Sequence, residues 1–140
     1  VNGSWTPTIV AFCCNWCSYA GADGAGVARL QMPTNFRIIR TMCSARVDPE
    51  FILRAFAKGA DGVMVLGCHP ADCHYIGGNY RARRRIALLR MVLEQYGFDP
   101  KRLKLEWVSA SEGEKFQKTI LEFVDTIKAL GPTPLQKEAN

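Results

Sequence analysis

Short apolar runs and longer amphipathic segments alternate along the chain, and this alternation restricts the possible folds more than any other feature of the sequence. The short runs are rich in β-branched residues and end at turn-forming residues, which is typical of buried strands. They cover residues 8–14, 36–42, 62–67 and 103–108. Strands that alternate with helices predict an α/β fold, in which right-handed crossovers join parallel strands and helices cover both faces of the sheet.

The predicted helices have recognisable ends. Asp48 as N-cap and Pro49 at the first helical position begin one helix, and Gly59 ends it. Two further segments repeat apolar residues at helical spacing until they reach a glycine, over 82–97 and 116–131. The sequence SEGE at 111–114 has the pattern of a capping box for the last helix.

The economical arrangement of these elements is a doubly wound sheet of four parallel strands, flavodoxin-like or Rossmann-like, in the order 2-1-3-4. After the first strand, residues 21–26 are small and glycine-rich, and Val27 and Leu30 are the residues around which a short helix would form. No repeat or interdomain linker interrupts the pattern. We therefore expect a single domain over residues 1–131, followed by a polar C-terminal tail over 132–140.

Charge and hydropathy exclude several classes of protein. Eighteen Lys and Arg residues against thirteen Asp and Glu give the 140-residue chain a net charge of +5. An excess this small is well short of a nucleic-acid-binding footprint unless it is concentrated on one face. No apolar run approaches the roughly 18 residues of a membrane-spanning helix, and the first residues lack the features of a signal peptide. We expect a soluble, cytoplasmic protein with one sizeable core.

The six cysteines all fall at the same place relative to the predicted strands. The first strand ends with Cys13 and Cys14, and Cys17 follows in the next loop. Cys43 directly follows the second strand, and Cys68 directly follows the third, with Cys73 five residues later. The carboxyl ends of parallel strands meet at one edge of the sheet, where open α/β sheets bind their ligands. The sequence therefore predicts that thiols from three loops converge at this edge.

The spacing of the cysteines indicates a metal centre. Cys14 and Cys17 form a C-x2-C pair, and Cys68 and Cys73 form a C-x4-C pair. Iron-sulfur clusters are held by four cysteine thiolates, in arrangements that include both spacings. Strand alternation turns Cys13 to the face opposite Cys14, so we interpret Cys13 as a core residue.

Other interpretations of the same cysteines stay open at this point. A closed four-cysteine zinc site would stabilise the loops and do nothing else. A C-x-x-C pair after a first strand is also the position of a thiol-disulfide redox site, although Cys43 would then have no role. His69 and His74 each adjoin a candidate ligand and would allow a mixed Cys/His centre, but such a histidine is more often a hydrogen-bond donor to the site.

Residues near the cysteines suggest an aromatic ring that shields the sulfur atoms from water and an arginine-rich surface that could bind a partner. Trp16 lies inside the C-x2-C loop, where its ring would limit water around the sulfur atoms. Arg81, Arg84 and Arg85 share one helical face, which is either a solvated surface or a docking surface. No phosphate-binding glycine motif follows a strand, and no acid/base pair or Ser/His arrangement is evident. A substrate-converting enzyme that acts alone is therefore disfavoured.

Long and unusual motifs extend over nearly the whole chain. They are FCCNWCSYAGAD at 12–23, RIIRTMCSAR at 37–46, GADGV at 59–63, GCHPADCHY at 67–75, GN at 78–79 and SASEGEKF at 109–116. With these motifs the sequence closely resembles the iron-sulfur delta subunit of the methyl-viologen-reducing [NiFe]-hydrogenase of methanogenic archaea. Ala45 is one departure, since the family is expected to have glycine there; this position holds no sulfur atom.

The resemblance implies an electron-transfer protein with one [2Fe-2S] cluster and no catalytic residues of its own. It implies a cytoplasmic complex of methanogenesis in which electrons pass from the small and large hydrogenase subunits to the FAD-containing A subunit of heterodisulfide reductase, by flavin-based electron bifurcation. Four of five cysteines would be the ligands: Cys14, Cys17, Cys43, Cys68 and Cys73. The fifth would be a thiol beside the cluster, or would pair with Cys13. His69, His74 and Trp16, which lie beside these cysteines in the sequence, would then surround the cluster.

Overall fold

The computed structural model describes residues 6–14, 36–67, 69, 78–109 and 111–135. The strands are β1 (Ile9–Cys14), β2 (Phe36–Thr41), β3 (Gly62–Gly67) and β4 (Leu103–Trp107), and the helices are α1 (Pro49–Ala57), α2 (Gly78–Gln95) and α3 (Gly113–Leu130). Two 3₁₀ turns, Ser44–Arg46 and Pro100–Arg102, precede α1 and β4. The short helix expected around Val27 and Leu30 lies outside the described residues.

The four strands form one parallel sheet in the order β2-β1-β3-β4, which confirms the predicted α/β fold and strand order. Ile9 of β1 lies opposite Phe36 of β2 on one side and opposite Gly62 of β3 on the other. The register therefore brings the carboxyl ends of these three strands to the same edge of the sheet.

Burial follows the position of each strand in the sheet. β3 is buried along its whole length, and β1 nearly so, because both lie between neighbouring strands and have helices on both faces. β2 is an edge strand, and most of its residues are exposed. Its Arg37 and Arg40 place charge along this edge, which disfavours pairing with a strand of another chain.

The core has two layers, one on each face of the sheet. On one face, α3 packs Phe116 and Phe123 against β1 and β3. On the other face, α1 contributes Phe56 and α2 contributes Leu89. Gly62 allows α3 to lie close to the sheet, because a Cβ atom at this position would be 2.8 Å from the ring of Phe123. Each of these buried side chains stabilises the fold by about 2 kcal/mol through removal of apolar surface from water.

The predicted ends of α1 are confirmed. The side chain of Asp48 accepts a hydrogen bond of 2.8 Å from the backbone N–H of Glu50, and Pro49 is the first helical residue. An N-cap of this kind stabilises a helix by about 1 kcal/mol. Gly59 follows the helix with a φ of 110°, a conformation that side chains with a Cβ rarely adopt.

The predicted capping box at the start of α3 is wrong. Glu112, not Ser111, is the N-cap residue, and its side chain makes no capping hydrogen bond to the helix. The carboxylate of Glu112 instead accepts a hydrogen bond of 2.9 Å from the backbone N–H of Ser109. The S-x-x-E pair that forms in the structure therefore begins two residues earlier than expected.

A buried arginine joins the amino end of the sheet to the residues that follow α3. The guanidinium of Arg102 donates hydrogen bonds to the backbone oxygens of Asp61, Gly131 and Pro132, at 3.0, 2.7 and 3.0 Å. Arg102 is almost completely buried, and Thr133 is fully buried. Burial lowers the pKa of Arg102, while the charge of Asp61 opposes this shift. The first residues of the predicted tail are thus fixed to the domain; the domain boundary itself stays a prediction.

No helix in the described part of the chain is long and apolar enough to cross a membrane.

Candidate metal centre

Thiols lie at the carboxyl ends of adjacent strands, as the sequence predicts. Cys14 is the last residue of β1 and lies opposite Thr41, the last residue of β2. Cys43 follows two residues after Thr41, and both thiols are buried. β3 ends at Gly67, directly before Cys68. The candidate residues that lie outside the described part of the chain are Trp16, Cys17, Cys68, Cys73 and His74.

The two adjacent cysteines of β1 face opposite sides of the sheet. Cys13 has no exposed surface and packs with Phe116 in the layer covered by α3. Burial, and to a smaller degree the neighbouring Cys14, raise the pKa of Cys13 to about 12. The thiol of Cys13 is therefore protonated and apolar in character at neutral pH, which confirms its prediction as a core residue. Cys14 remains the cysteine of β1 that is directed away from this layer.

A threonine hydroxyl joins the ends of β1 and β2. The Oγ1 atom of Thr41 lies 3.3 Å from the backbone oxygen of Cys13 and 3.3 Å from that of Cys43. One hydroxyl proton serves both acceptors, so each bond is weak, but the geometry fixes the position of Cys43 relative to β1.

The loop that carries Cys43 is held by contacts on both sides. The backbone N–H of Arg46 donates to the oxygen of Cys43 at 2.9 Å, which closes the 3₁₀ turn. From α2, the Nη1 atom of Arg85 donates a hydrogen bond to the backbone oxygen of Ala45. Arg85 is therefore a structural anchor for this loop as well as a member of the exposed arginine face.

Close packing brings the Cys43 loop to the end of β3. A Cβ atom at Gly67 would lie 3.0 Å from the Oγ atom of Ser44 and 3.0 Å from the ring of Trp107. Ser44 directly follows Cys43, and Gly67 directly precedes Cys68. The chain neighbours of two candidate ligands are therefore in contact, and only glycine at position 67 allows this approach without displacement.

His69 is held by a residue that the sequence analysis did not select as a site residue. Its Nε2 atom contacts the Oε1 atom of Glu112, at the N-terminus of α3. The backbone N–H of Ser109, and next the ring of His69, lower the pKa of Glu112 to about 2, and Lys115 adds to this shift. Glu112 is thus a carboxylate at neutral pH. The S-x-x-E spacing of Ser109 and Glu112 could have indicated that the Glu112 carboxylate binds the backbone of Ser109. It does not indicate that the same carboxylate contacts the loop after β3.

The described cysteines fit a metal centre with thiolate ligands. Among the described residues, no three potential metal ligands form a group, because only Cys14 and Cys43 of the five candidates are described. The donor chemistry of these two fits, since both are buried thiols at neighbouring strand ends. The close approach of Gly67 to Ser44 also fits a metal centre, because Gly67 directly precedes Cys68 and Ser44 directly follows Cys43.

Comparisons with known proteins connect this arrangement to a family. Residues 9–131 match the family described as methyl-viologen-reducing hydrogenase, delta subunit. The chain is 55% identical over 134 residues to the vhc iron-sulfur subunit of the F420-non-reducing hydrogenase of Methanococcus voltae, covering 96% of this chain and 93% of that protein. It is 50% identical over 137 residues to the iron-sulfur subunit of the F420-non-reducing hydrogenase of Archaeoglobus profundus, covering 98% and 100%.

A third similarity is to part of a larger protein. The chain is 57% identical over 129 residues to the A subunit of the ferredoxin/F(420)H(2)-dependent CoB-CoM heterodisulfide reductase of Methanosarcina acetivorans. The match covers 92% of this chain but 16% of that protein. Sequences of this type therefore occur both as nearly the whole of a protein and as one segment of a much longer one.

Proposed function

Since this chain belongs to the delta-subunit family of the methyl-viologen-reducing hydrogenase, we propose that it is an electron-transfer protein that holds one [2Fe-2S] cluster. The observation that carries the proposal is the position of Cys14 and Cys43, two buried thiols at the carboxyl ends of neighbouring strands, beside the strand that leads into Cys68. The names of two similar proteins, both iron-sulfur subunits, support an iron-sulfur cofactor.

Four of five cysteines supply the ligands in this proposal: Cys14, Cys17, Cys43, Cys68 and Cys73. The cluster, when bound, accepts and releases one electron at a time. The chain itself orients the thiols and excludes water. Thr41 and the contact between Gly67 and Ser44 fix the relative positions of the strand ends, and His69 connects the third loop to α3. Trp16 and His74 complete the surroundings of the cluster in this proposal.

The proposed role is a relay with no catalytic residue of its own. Electrons enter from the small and large subunits of a [NiFe]-hydrogenase and leave to the FAD-containing A subunit of heterodisulfide reductase, in a cytoplasmic complex that performs flavin-based electron bifurcation during methanogenesis. The similarity to a segment of a heterodisulfide reductase A subunit supports this partner, because a sequence of this type is part of that polypeptide. The similarity to hydrogenase iron-sulfur subunits supports the donor.

Metal analysis of the anaerobically purified chain tests the cofactor. We expect equal amounts of iron and acid-labile sulfide, and an electron paramagnetic resonance signal of a binuclear cluster after one-electron reduction. Stoichiometric zinc without iron would instead establish a structural zinc site. Turnover of disulfide substrates by Cys14 and Cys17 in iron-free protein would establish a thiol-disulfide oxidoreductase.

Reconstitution tests the relay. Purified hydrogenase and heterodisulfide reductase are mixed under hydrogen with and without the cluster-loaded chain, and reduction of the flavin is followed by absorbance. We expect fast flavin reduction only when the chain is present. The matched control is the chain treated to remove iron, which should not support reduction. Equal rates in all three mixtures would contradict the relay.

A further inference from the structure

An open cleft lies beside Cys43 at the carboxyl edge of the sheet. It is formed between the end of β2, the Ser44–Arg46 turn and the first turns of α1 and α2, and its volume is about 790 Å³. Cys43 forms part of its wall. Any molecule that occupies this cleft is therefore next to a candidate ligand of the proposed cluster.

The charge of the cleft is positive. Arg46, Arg81 and Arg85 line it, and no Asp or Glu of the described residues does so. Arg85 is anchored to the backbone oxygen of Ala45, an uncharged group, and no carboxylate of the described residues forms an ion pair with it. Arg46 and Arg81 are exposed and make no ion pair within the described ranges. Positive charges that line one cleft repel one another, and an anionic group in the cleft would reduce this repulsion.

The cleft also exposes apolar surface. Met42 and Phe51 line it and are 53% and 47% exposed. Large apolar side chains next to arginines are typical of protein interfaces, in which aromatic residues, methionine and arginine are enriched. A small anion would pair with the arginines but would leave Met42 and Phe51 in contact with water.

We propose that this cleft is the docking site for an acidic segment of the protein with which the chain exchanges electrons. Carboxylates of that segment pair with Arg46 and Arg81, and an apolar side chain between them covers Met42 and Phe51. The proposal rests on the electron-transfer role proposed above, because it places the partner beside Cys43. Arginine is suited to this contact, since its planar guanidinium binds carboxylates in a bidentate manner.

The position of the charges predicts a kinetic effect. Exposed charges at an interface act mainly by steering the two proteins together, so they raise the association rate and make it sensitive to salt. Arg84, which is exposed on α2, does not line the cleft and is not part of the proposed contact.

Charge reversal with a matched control tests the proposal. The cluster-loaded chain is immobilised, and association of purified hydrogenase and of purified heterodisulfide reductase is measured from low to high salt. The test variant is Arg46→Glu with Arg81→Glu. The control is Arg83→Glu with Lys128→Glu, two exposed residues outside the cleft, which changes the net charge by the same amount. We expect the test variant to slow association of one partner about tenfold at low salt, and the control to have little effect.

A photo-crosslinking amino acid at position 81 provides the second readout. We expect crosslinks to a partner peptide that is rich in Asp and Glu. Equal slowing by the test and control variants, no slowing by either, or a crosslink to a basic peptide would overturn the proposal. Inorganic phosphate is the small-anion probe: if it binds the original chain but not the test variant, while partner association is unchanged, the cleft is a small-anion site instead.

These outcomes are separable from failure of the proposed function. Association and crosslinking are read without electron transfer, so they decide the docking site even in a preparation that contains no iron. Iron, sulfide and the reduced-state spectrum are measured on the same preparations. Absence of a cluster contradicts the proposed function, whereas unchanged association of a cluster-loaded test variant contradicts only the docking site.

Discussion

The imidazole of His69 contacts the carboxylate of Glu112 through its Nε2 atom, across 43 positions of the sequence. This contact connects the loop that follows β3 to the first turn of α3. Glu112 also accepts a hydrogen bond from the backbone N–H of Ser109, and this bond holds the carboxylate in place independently of His69. A fixed acceptor determines the orientation of the His69 ring, and through it the position of the chain next to Cys68.

Loss of this contact should make iron easier to remove. We expect Glu112→Ala to release iron to a chelator faster than the original chain, because the loop after β3 loses its attachment to α3. Glu112→Gln keeps an oxygen acceptor and should have an intermediate effect. The matched control is Glu114→Ala, an exposed residue of the same helical turn. Equal release rates for Glu112→Ala and Glu114→Ala would show that the contact does not position the loop.

The low pKa of Glu112 gives a defined dependence of stability on pH. Its pKa in the folded chain is about 2, below the ordinary value of 4.5, so the carboxylate form stabilises the fold fully above about pH 4.5. This contribution is lost as the pH falls from 4.5 toward 2. We expect Glu112→Gln to lower the thermal midpoint near neutral pH, and the difference from the original chain to shrink across that window. A difference that grows on acidification would contradict the assignment.

The two cysteines of β1 should differ in their effect on the cluster. Cys13→Ser should retain iron and an unchanged spectrum, but should lower the free energy of unfolding by about 1–2 kcal/mol, because it buries a hydroxyl in an apolar layer. Cys14→Ser and Cys43→Ser should lose iron or shift the spectrum, because each replaces a thiolate ligand. If Cys13→Ser loses iron while Cys14→Ser keeps it, the assignment from strand alternation is wrong.

A side chain at position 67 should displace the loop that carries Cys43. We expect Gly67→Ala to lower the free energy of unfolding by about 2 kcal/mol, because the added methyl group is too close to Ser44 and Trp107. Iron content should fall as well, since the Cys43 loop is displaced. The double variant Gly67→Ala with Ser44→Gly lacks the Ser44 side chain, one of the two groups that crowd the added methyl group. It should therefore regain part of the free energy of unfolding and part of the iron content. Normal iron content in Gly67→Ala would show that the close approach is not required for the site.

Removal of the buried arginine should destabilise the fold without a direct effect on the cysteines. Arg102→Ala leaves three backbone oxygens without their donor and removes the positive charge of Arg102 from the surroundings of the buried Asp61, so we expect a loss of about 3–5 kcal/mol in urea denaturation. Lys101→Ala, at the exposed neighbouring position, should change the free energy of unfolding by less than about 0.5 kcal/mol.

Local patterns were sufficient to predict the sheet. The apolar runs at 8–14 and 62–67 have lengths and flanking glycines or prolines that suit central strands, and only a parallel arrangement joins them through helices. The strand alternation that separates Cys13 from Cys14 is likewise a local property. For these reasons the α/β fold and the position of Cys14 and Cys43 at one edge could be predicted from local patterns, whereas the strand order 2-1-3-4, which the structure confirms, is one of several orders that the same patterns allow.

Contacts between distant residues could not be predicted in the same way. Ser109 and Glu112 form an S-x-x-E pair, but so do the nearby residues 111 and 114, and only packing of α3 against the sheet decides which pair forms. No pattern indicates that Glu112 meets His69, or that Arg85 binds the oxygen of Ala45. These contacts depend on the distances between helices after folding, and single-sequence patterns do not contain those distances.

The Arg102 network also determines where the chain can be attached to other polypeptides. Thr8, at the start of β1, donates its N–H to Asp61 at 2.8 Å, and Asp61 is joined through Arg102 to Gly131. Thr8 and Gly131 are thus linked to each other at the end of the sheet opposite Cys14 and Cys43. A domain in which Thr8 and Gly131 are linked in this way can be joined to a longer chain by two adjacent connections, at the end of the sheet away from Cys14 and Cys43. Occurrence of the same sequence type as a separate protein and as a segment of a larger one is compatible with a single unchanged fold.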